Sequence, residues 1–163
     1  MIVISDTTPL ISLMKINKLE ILQKLFGKII IPMAVYNELT TNVSFPIESK
    51  IIQNCDFITT INVENKSAVS HLRKTTGLDA GESEAIVVAE TIDNVMLLID
   101  EACGRKVAKR MNLNVMGTIG VLLLANHKNI LLKEDIIKSV EIIRNSKLRI
   151  SENLIEMLLE NVR

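Results

Sequence analysis

Four carboxylates stand where a folded chain could bring them together: Asp6, Glu38, Glu82 and Asp100. Asp6 directly follows the apolar start of "MIVISDTTPL", and Asp100 directly follows the five apolar residues of "VMLLIDEACGR". Two segments fit for interior strands thus end on an acid. Ligands of open parallel sheets gather beyond the carboxyl ends of the strands, which would put both acids at one edge. Glu82 forms an i, i+3, i+4, i+7 set with Ala85, Ile86 and Ala89 and heads the inward stripe of a helix. Glu84 falls on the other side, with Val88 and Thr91. Glu38, three residues after Val35 and next to Leu39, lies at the margin of a buried face. If the four acids converge, each close pair repels by about 4 kcal/mol at an effective dielectric near 20. Protons or a cation must then offset the charge. With no His or Cys nearby, Mg²⁺ or Mn²⁺ suits an all-oxygen pocket. Such an ion, keeping several of its waters, serves phosphodiester hydrolysis.

Each acid also has a plainer use. Asp100 suits a cap for a helix opening at Glu101. Glu82 completes a capping box with Asp79 in "DAGE". Glu38 suits a solvated surface. For Asp6 the capping use is weaker, because Thr8-Pro9 offers a cap and a first-turn proline of its own. Glu101 can pair with Arg105 at i, i+4. The run "GRKVAKR" (104–110) reads as a solvated helix face. As it follows Asp100 directly, it is also the best candidate for a phosphate-facing patch.

The composition narrows the classes. The 163 residues carry 19 basic and 19 acidic side chains, which cancel, so a protein gripping nucleic acid by bulk charge is excluded while a local site is not. Aromatics make up 2% of the chain against 48% hydrophobic residues, so the core is built from Ile, Leu, Val and Met. No apolar run reaches the roughly 18 residues of a membrane span, and Asp6 interrupts the N-terminal apolar stretch. Cys55 and Cys103 form no spaced pair, as expected in the reducing cytoplasm. His71 and His127 stand apart, without a zinc pattern.

The elements that must position these residues alternate. Ile2–Ile4, Lys28–Ile31, Phe57–Ile61, Val95–Ile99 and Asn114–Met116 read as strands. Helices are expected near 9–15, 18–26, 32–41, 46–54, 80–93 and 101–111, while 63–78 is polar and ambiguous, compatible with a helix followed by a loop. After Gly117, "TIGVLLLANHKNI" reads as a buried helix, and two amphipathic helices close the chain as a hairpin over about 133–162. The pattern predicts an α/β fold over residues 1–163 as one domain, its parallel sheet covered on both faces. The helices over 9–26 are more apolar than one sheet face requires, which suggests self-association.

Taken in order, "ISDTTPLISL", "IPMAVYNEL", "LDAGESEAIVVAE", "LLIDEACGRKVAKRMNLNVMGTIGVLLLA" and "LRISENLIEMLLE" resemble the PIN-domain family, nearest to short prokaryotic chains related to VapC toxin ribonucleases. The resemblance implies a Rossmann-like three-layer α/β/α sandwich, a Mg²⁺- or Mn²⁺-dependent site for single-stranded RNA, and a homodimer. By position, Asp6, Glu38, Glu82 and Asp100 match the family's four acids, and Thr7 and Thr118 its supporting hydroxyls. Glu101 stands beside them as a supporting acid. Arg105, Lys106 and Lys109 are the candidate contacts to RNA phosphates. Many relatives carry Asp where this chain has Glu82, so the number of metal ions is open. A toxin of this kind implies an antitoxin protein as partner. The alternative is a non-catalytic PIN-like binding module. A phospho-receiver or phosphatase role is weakened because "DTT" lacks the second acid of a D-x-D loop.

Overall fold

In a computed structural model describing residues 1–163, five strands form one all-parallel sheet in the order β3-β2-β1-β4-β5. They are β1 (Ile2–Ser5), β2 (Ile29–Pro32), β3 (Ile58–Ile61), β4 (Val95–Leu98) and β5 (Asn114–Met116). The strands are short apolar runs because helices cover both faces of the sheet, leaving no solvent face to impose alternation. Order and direction place the topological switch between β1 and β4, which pair directly from Ile2↔Val95 to Ser5↔Leu98. That crevice is where an open α/β sheet accepts a ligand.

Ten helices complete the chain. On one face, α1 (Thr7–Lys15), α2 (Ile21–Phe26), α8 (Thr118–His127), α9 (Lys133–Arg144) and α10 (Glu152–Asn161) enclose the larger core, including Leu10, Leu22, Leu122 and Ile136. Val35 and Leu39 of α3 (Met33–Thr41) and Ile52 of α4 (Pro46–Gln53) join it. On the other face, α5 (Lys66–Thr76), α6 (Ala80–Glu90) and α7 (Ala102–Arg110) enclose a second core around Ile4, Ile86, Leu97 and Ile99. The result is the expected α/β/α sandwich. The closing helices α9 and α10 pack on α8.

The boundaries differ from the sequence expectation in informative ways. α1 starts at Thr7 directly from the strand, so Asp6 takes the N-cap position and Pro9 is the third helical residue; the Thr8-Pro9 cap does not form. Pro32 ends β2 and is itself the N-cap of α3. The ambiguous segment 63–78 holds a helix, capped by the Asn65 side chain on the Ala68 N–H and ended by Gly77 at φ 75°. Asn94 and Asn112 make the left-handed turns into β4 and β5 (φ 54° and 60°), a conformation that Asn tolerates better than most residues. No helix is long and apolar enough to cross a membrane.

Candidate active site

The acids gather because three elements end or begin at the carboxyl edge of the sheet. β1 runs into α1 with no intervening loop, and the Asp6 N–H donates to the Leu98 carbonyl at 2.9 Å. This locks Asp6 beside the switch crevice, 2% exposed. Glu38 comes from the second turn of α3, which packs against α6. Its Oε2 accepts the Thr7 hydroxyl at 2.5 Å and its Oε1 the Gly81 N–H at 3.3 Å. Glu82, in the first turn of α6, forms the expected box: its N–H donates to Asp79 at 2.8 Å while its carboxylate accepts the Asp79 N–H at 3.2 Å.

Two glycines leave room for these carboxylates. A Cβ on Gly81 would lie 2.9 Å from Glu38 Oε1 and 3.3 Å from Asp6 Oδ1, so both acids open on one point. A Cβ on Gly104 would lie 2.8 Å from Glu82 Oε1. The glycines of "AGE" and "CGR" therefore bring backbone close to acids where any side chain would intrude.

Charge and burial strain this cluster in one direction. Burial is the largest effect on Asp6 and pushes its carboxyl up to about 8, with repulsion from Asp79, Glu82 and Glu38 adding and the Thr7 N–H opposing. Burial also raises Glu38, against the Thr7 hydroxyl bond and with Asp79 again repelling. Glu82 is raised by burial and by the charges of Asp79, Glu101 and Glu38. Near neutral pH Asp6 thus favours a proton unless a cation sits beside it.

Asp100 is held by a different helix. Both of its oxygens are engaged by Thr118, Oδ1 by the N–H at 2.7 Å and Oδ2 by the hydroxyl at 2.6 Å. Asp100 accordingly caps α8, not the α7 helix expected from its position before Glu101. Its carboxyl is raised by burial, opposed by the Thr118 bonds and the charge of Arg105. Of the four expected carboxylates, Asp6 and Glu38 meet at Gly81 and Glu82 acts on both through its charge, while Asp100 follows the neighbouring strand at the same sheet edge and is bonded to Thr118 at the start of α8. The Glu101–Arg105 pair does not form either. The Arg105 guanidinium donates to the Ile99 carbonyl at 2.9 Å, because the carbonyl and Asp100 together offer it a more buried, charge-matched seat. Glu101 is left exposed, with its charge felt at Glu82.

Glu84 does leave the inward stripe, but not for solvent. It accepts the Ala34 N–H at 2.9 Å and caps the start of α3. This ties α6 to α3, the two helices that carry Glu82 and Glu38.

Sequence reasoning makes Asp79 only a cap, yet its charge acts on Asp6, Glu38 and Glu82 alike. Its spacing carries the signal, since a capping box brings two carboxyl groups into one helical turn. On the far side, Asp100, Arg105, Lys106, Lys109, Arg110 and Leu154 line a cleft of about 580 Å³. Lys106 and Lys109 are exposed there as expected, whereas Arg105 is half-buried and pinned. Arg110 in this cleft, and Arg149 in the adjoining one, are additions from the fold. Arg149 cannot be placed from sequence, because it lies in the link between α9 and α10.

The donor set is oxygen only, surplus in negative charge and free of His and Cys. No group of three or more such side chains closes around a single point. Mg²⁺ does not require one, because it keeps several waters and is held by one or two carboxylates together with substrate phosphate. Asp6 and Glu38, open on the Gly81 cradle, fit that demand.

This is a parallel α/β fold with acids beside its switch crevice. The family description "PIN domain" matches residues 2–163, and the chain belongs to the PIN-domain family. Membership points to nuclease-type chemistry, which in PIN nucleases generally uses divalent metal. No curated protein and no solved structure matches the chain.

Proposed function

We propose that the protein is a Mg²⁺- or Mn²⁺-dependent endoribonuclease that hydrolyses phosphodiester bonds of single-stranded RNA. The observation that supports the reading is that Asp6 and Glu38 open on one point at Gly81 beside the switch crevice, with the charge of Glu82 acting on Asp6 and only oxygen donors present. Asp6 and Glu38 would hold the cation, and Glu82 would complete its surroundings or those of a second ion. When bound, a divalent cation activates water and offsets charge on the scissile phosphate and the leaving oxygen. Asp6 must release its proton to take part, so cation binding is coupled to proton release. Thr7 fixes the rotamer of Glu38 through its hydroxyl bond. Thr118 fixes Asp100, and Arg105, held by the Ile99 carbonyl, lines the basic cleft beside it. Lys106 and Lys109, exposed on α7, would meet RNA phosphates.

The wider reading is that of a cytoplasmic toxin of a toxin–antitoxin pair, with an antitoxin protein and a second copy of this chain as partners. The apolar N-terminal helices no longer favour the dimer, because Leu10, Leu13, Ile16, Ile21 and Leu22 are all buried within one chain. The apolar surface left for a second copy includes Val43, Ile47 and Ile51. The alternative, a non-catalytic PIN-like module, draws on the engagement of both Asp100 oxygens by Thr118. Incubating labelled single-stranded RNA with wild type and Asp6→Asn, with and without Mn²⁺, separates the two. Cleavage by wild type alone, and only with metal, supports the nuclease. Metal-independent cleavage, or equal cleavage by both proteins, rejects it.

A further inference from the structure

The nuclease reading uses one basic surface, on α7, but the fold presents a second. Along α5, Lys66, Ser70, Arg73 and Lys74 recur at i, i+4, i+7 and i+8 and so share one face. With Gly77 and Glu84 they border a cleft of about 650 Å³. All four side chains are exposed. The ion pairs of the molecule are Lys15–Glu48, Lys18–Asp135 and Arg144–Glu152, so none of these cations is neutralised by a salt bridge. The helix itself buries no residue fully and packs on α6 through the partly buried Ala68, Val69 and Leu72.

The layer order gives this face its meaning. α6, whose first turn carries Glu82, contacts both α5 and α7. The α5 cleft runs to Gly77 and Leu78, and the next residue, Asp79, acts on all three site acids. The α7 cleft runs to Asp100, and the next residue, Glu101, acts on Glu82. The two clefts thus belong to helices of opposite sheet edges, α5 following β3 and α7 packing on β5, with the acid-bearing helix α6 in contact with both. Glu84, the one acid bordering the α5 cleft, is bonded to the Ala34 N–H.

We propose that the α5 face, with Lys66, Ser70, Arg73 and Lys74, is a second phosphate-binding cleft that holds the substrate strand across the acidic centre from α7. It deepens the nuclease reading and rests on it. A strand gripped on both sides presents an internal phosphodiester to the acids, which makes the cut endonucleolytic and the site several nucleotides long. Ser70 offers a neutral hydroxyl donor between the cations, and contacts of this kind position a backbone without reading its sequence.

The test is fluorescence anisotropy with labelled oligouridylates of about 4 and about 12 nucleotides, site sizes of the order found for single-strand binders. EDTA is present so that no cleavage intervenes. The triple variant Lys66→Gln/Arg73→Gln/Lys74→Gln changes only exposed side chains, and circular dichroism checks its fold. For the longer RNA, Kd should rise about 10-fold, and the slope of log affinity against log salt should fall by about 0.7 for each lost phosphate contact. The shorter RNA, held by α7, should bind as before. A paired variant, Lys106→Gln/Lys109→Gln, should weaken both lengths. If the triple variant binds the longer RNA with wild-type affinity and salt slope, while the α7 variant is weakened, the second cleft is rejected and the nuclease reading stands. If wild type binds neither RNA, the second cleft is rejected, and the nuclease reading is decided separately by Mn²⁺-dependent cleavage.

Discussion

Replacing Asp6 with Asn should make the metal-free protein more stable at neutral pH and flatten its dependence on pH. The Asp6 carboxyl is raised from 3.8 to about 8, chiefly by burial. Between these values the native state holds a proton that the unfolded chain has released, so the stability contributed by protonated Asp6 is full below the lower value. It is lost progressively as pH rises through the upper one. Within that window each step of one in pH removes about 1.4 kcal/mol. From about pH 4 to about pH 7 the wild type should therefore lose about 4 kcal/mol through Asp6 alone. At 2–4 °C per kcal/mol for a chain of this size, melting should fall by about 10 °C. Glu38, Glu82 and Asp100 are raised as well and add slope of the same sign. Asn keeps the size and removes the charge, so the variant retains only that residual slope. The assay is thermal melting by circular dichroism in EDTA across this range. Parallel pH profiles for the two proteins would refute the reasoning, since they would mean that Asp6 is ionised without penalty. Adding Mn²⁺ at neutral pH should then raise the melting temperature of wild type, as for any ligand of the native state, and leave that of Asp6→Asn nearly unchanged.

Gly81→Ala places a methyl 2.9 Å from Glu38 Oε1; the Glu38 side chain should swing aside, cutting metal-dependent cleavage at least about 10-fold, while the better helix former offsets the crowding by up to about 1 kcal/mol, as melting and cleavage together will show. Thr118→Val keeps the shape and the N–H bond but removes the hydroxyl bond to Asp100; it should cost about 1–2 kcal/mol by denaturant titration, and an unchanged midpoint would contradict the pinning of Asp100. Asp79→Asn keeps a good cap but removes a charge that repels three acids; the metal-free protein should gain stability near neutral pH, and Asp79→Ala should instead lose about 1 kcal/mol with the cap.

The fold is legible in the sequence because its strands are short apolar, mostly β-branched or Leu-bearing runs, each followed by a helix. "ITTI" and "NVM" suffice for edge strands only because a sheet already exists beside them. The hydrophobic pattern of α6 suggests one inward stripe, yet Gly81–Ala89 is buried almost throughout. Periodicity marks a helix with a wet side; here α3, α5 and the sheet surround it. The segment 63–78 is ambiguous for the opposite reason, since α5 is polar nearly all round and is held by its caps and a few contacts to α6. Within the site, Asp6 and Glu82 can be read from local pattern, because a strand end and a helical stripe fix where their side chains lie. The choice of Thr118 by Asp100, of Ile99 by Arg105 and of Ala34 by Glu84 cannot be read so. Each depends on two elements meeting at the sheet edge, and composition leaves several partners of equal chemistry.

The most direct test of the acidic centre compares the two glutamates of "GESEA". Glu82→Gln preserves the capping box, since Gln also accepts the Asp79 N–H, but removes a charge from the pocket. Glu84→Gln likewise keeps an acceptor for the Ala34 N–H and leaves the three carboxylates in place, removing only a charge that weakly opposes ionisation of Glu38. Cleavage of labelled single-stranded RNA is measured for both variants at saturating Mn²⁺, with folding verified by circular dichroism. Near loss of cleavage in Glu82→Gln, with Glu84→Gln within a few-fold of wild type, is the predicted result. Equal activity in the two variants would contradict the account and leave Glu82 as a capping residue alone.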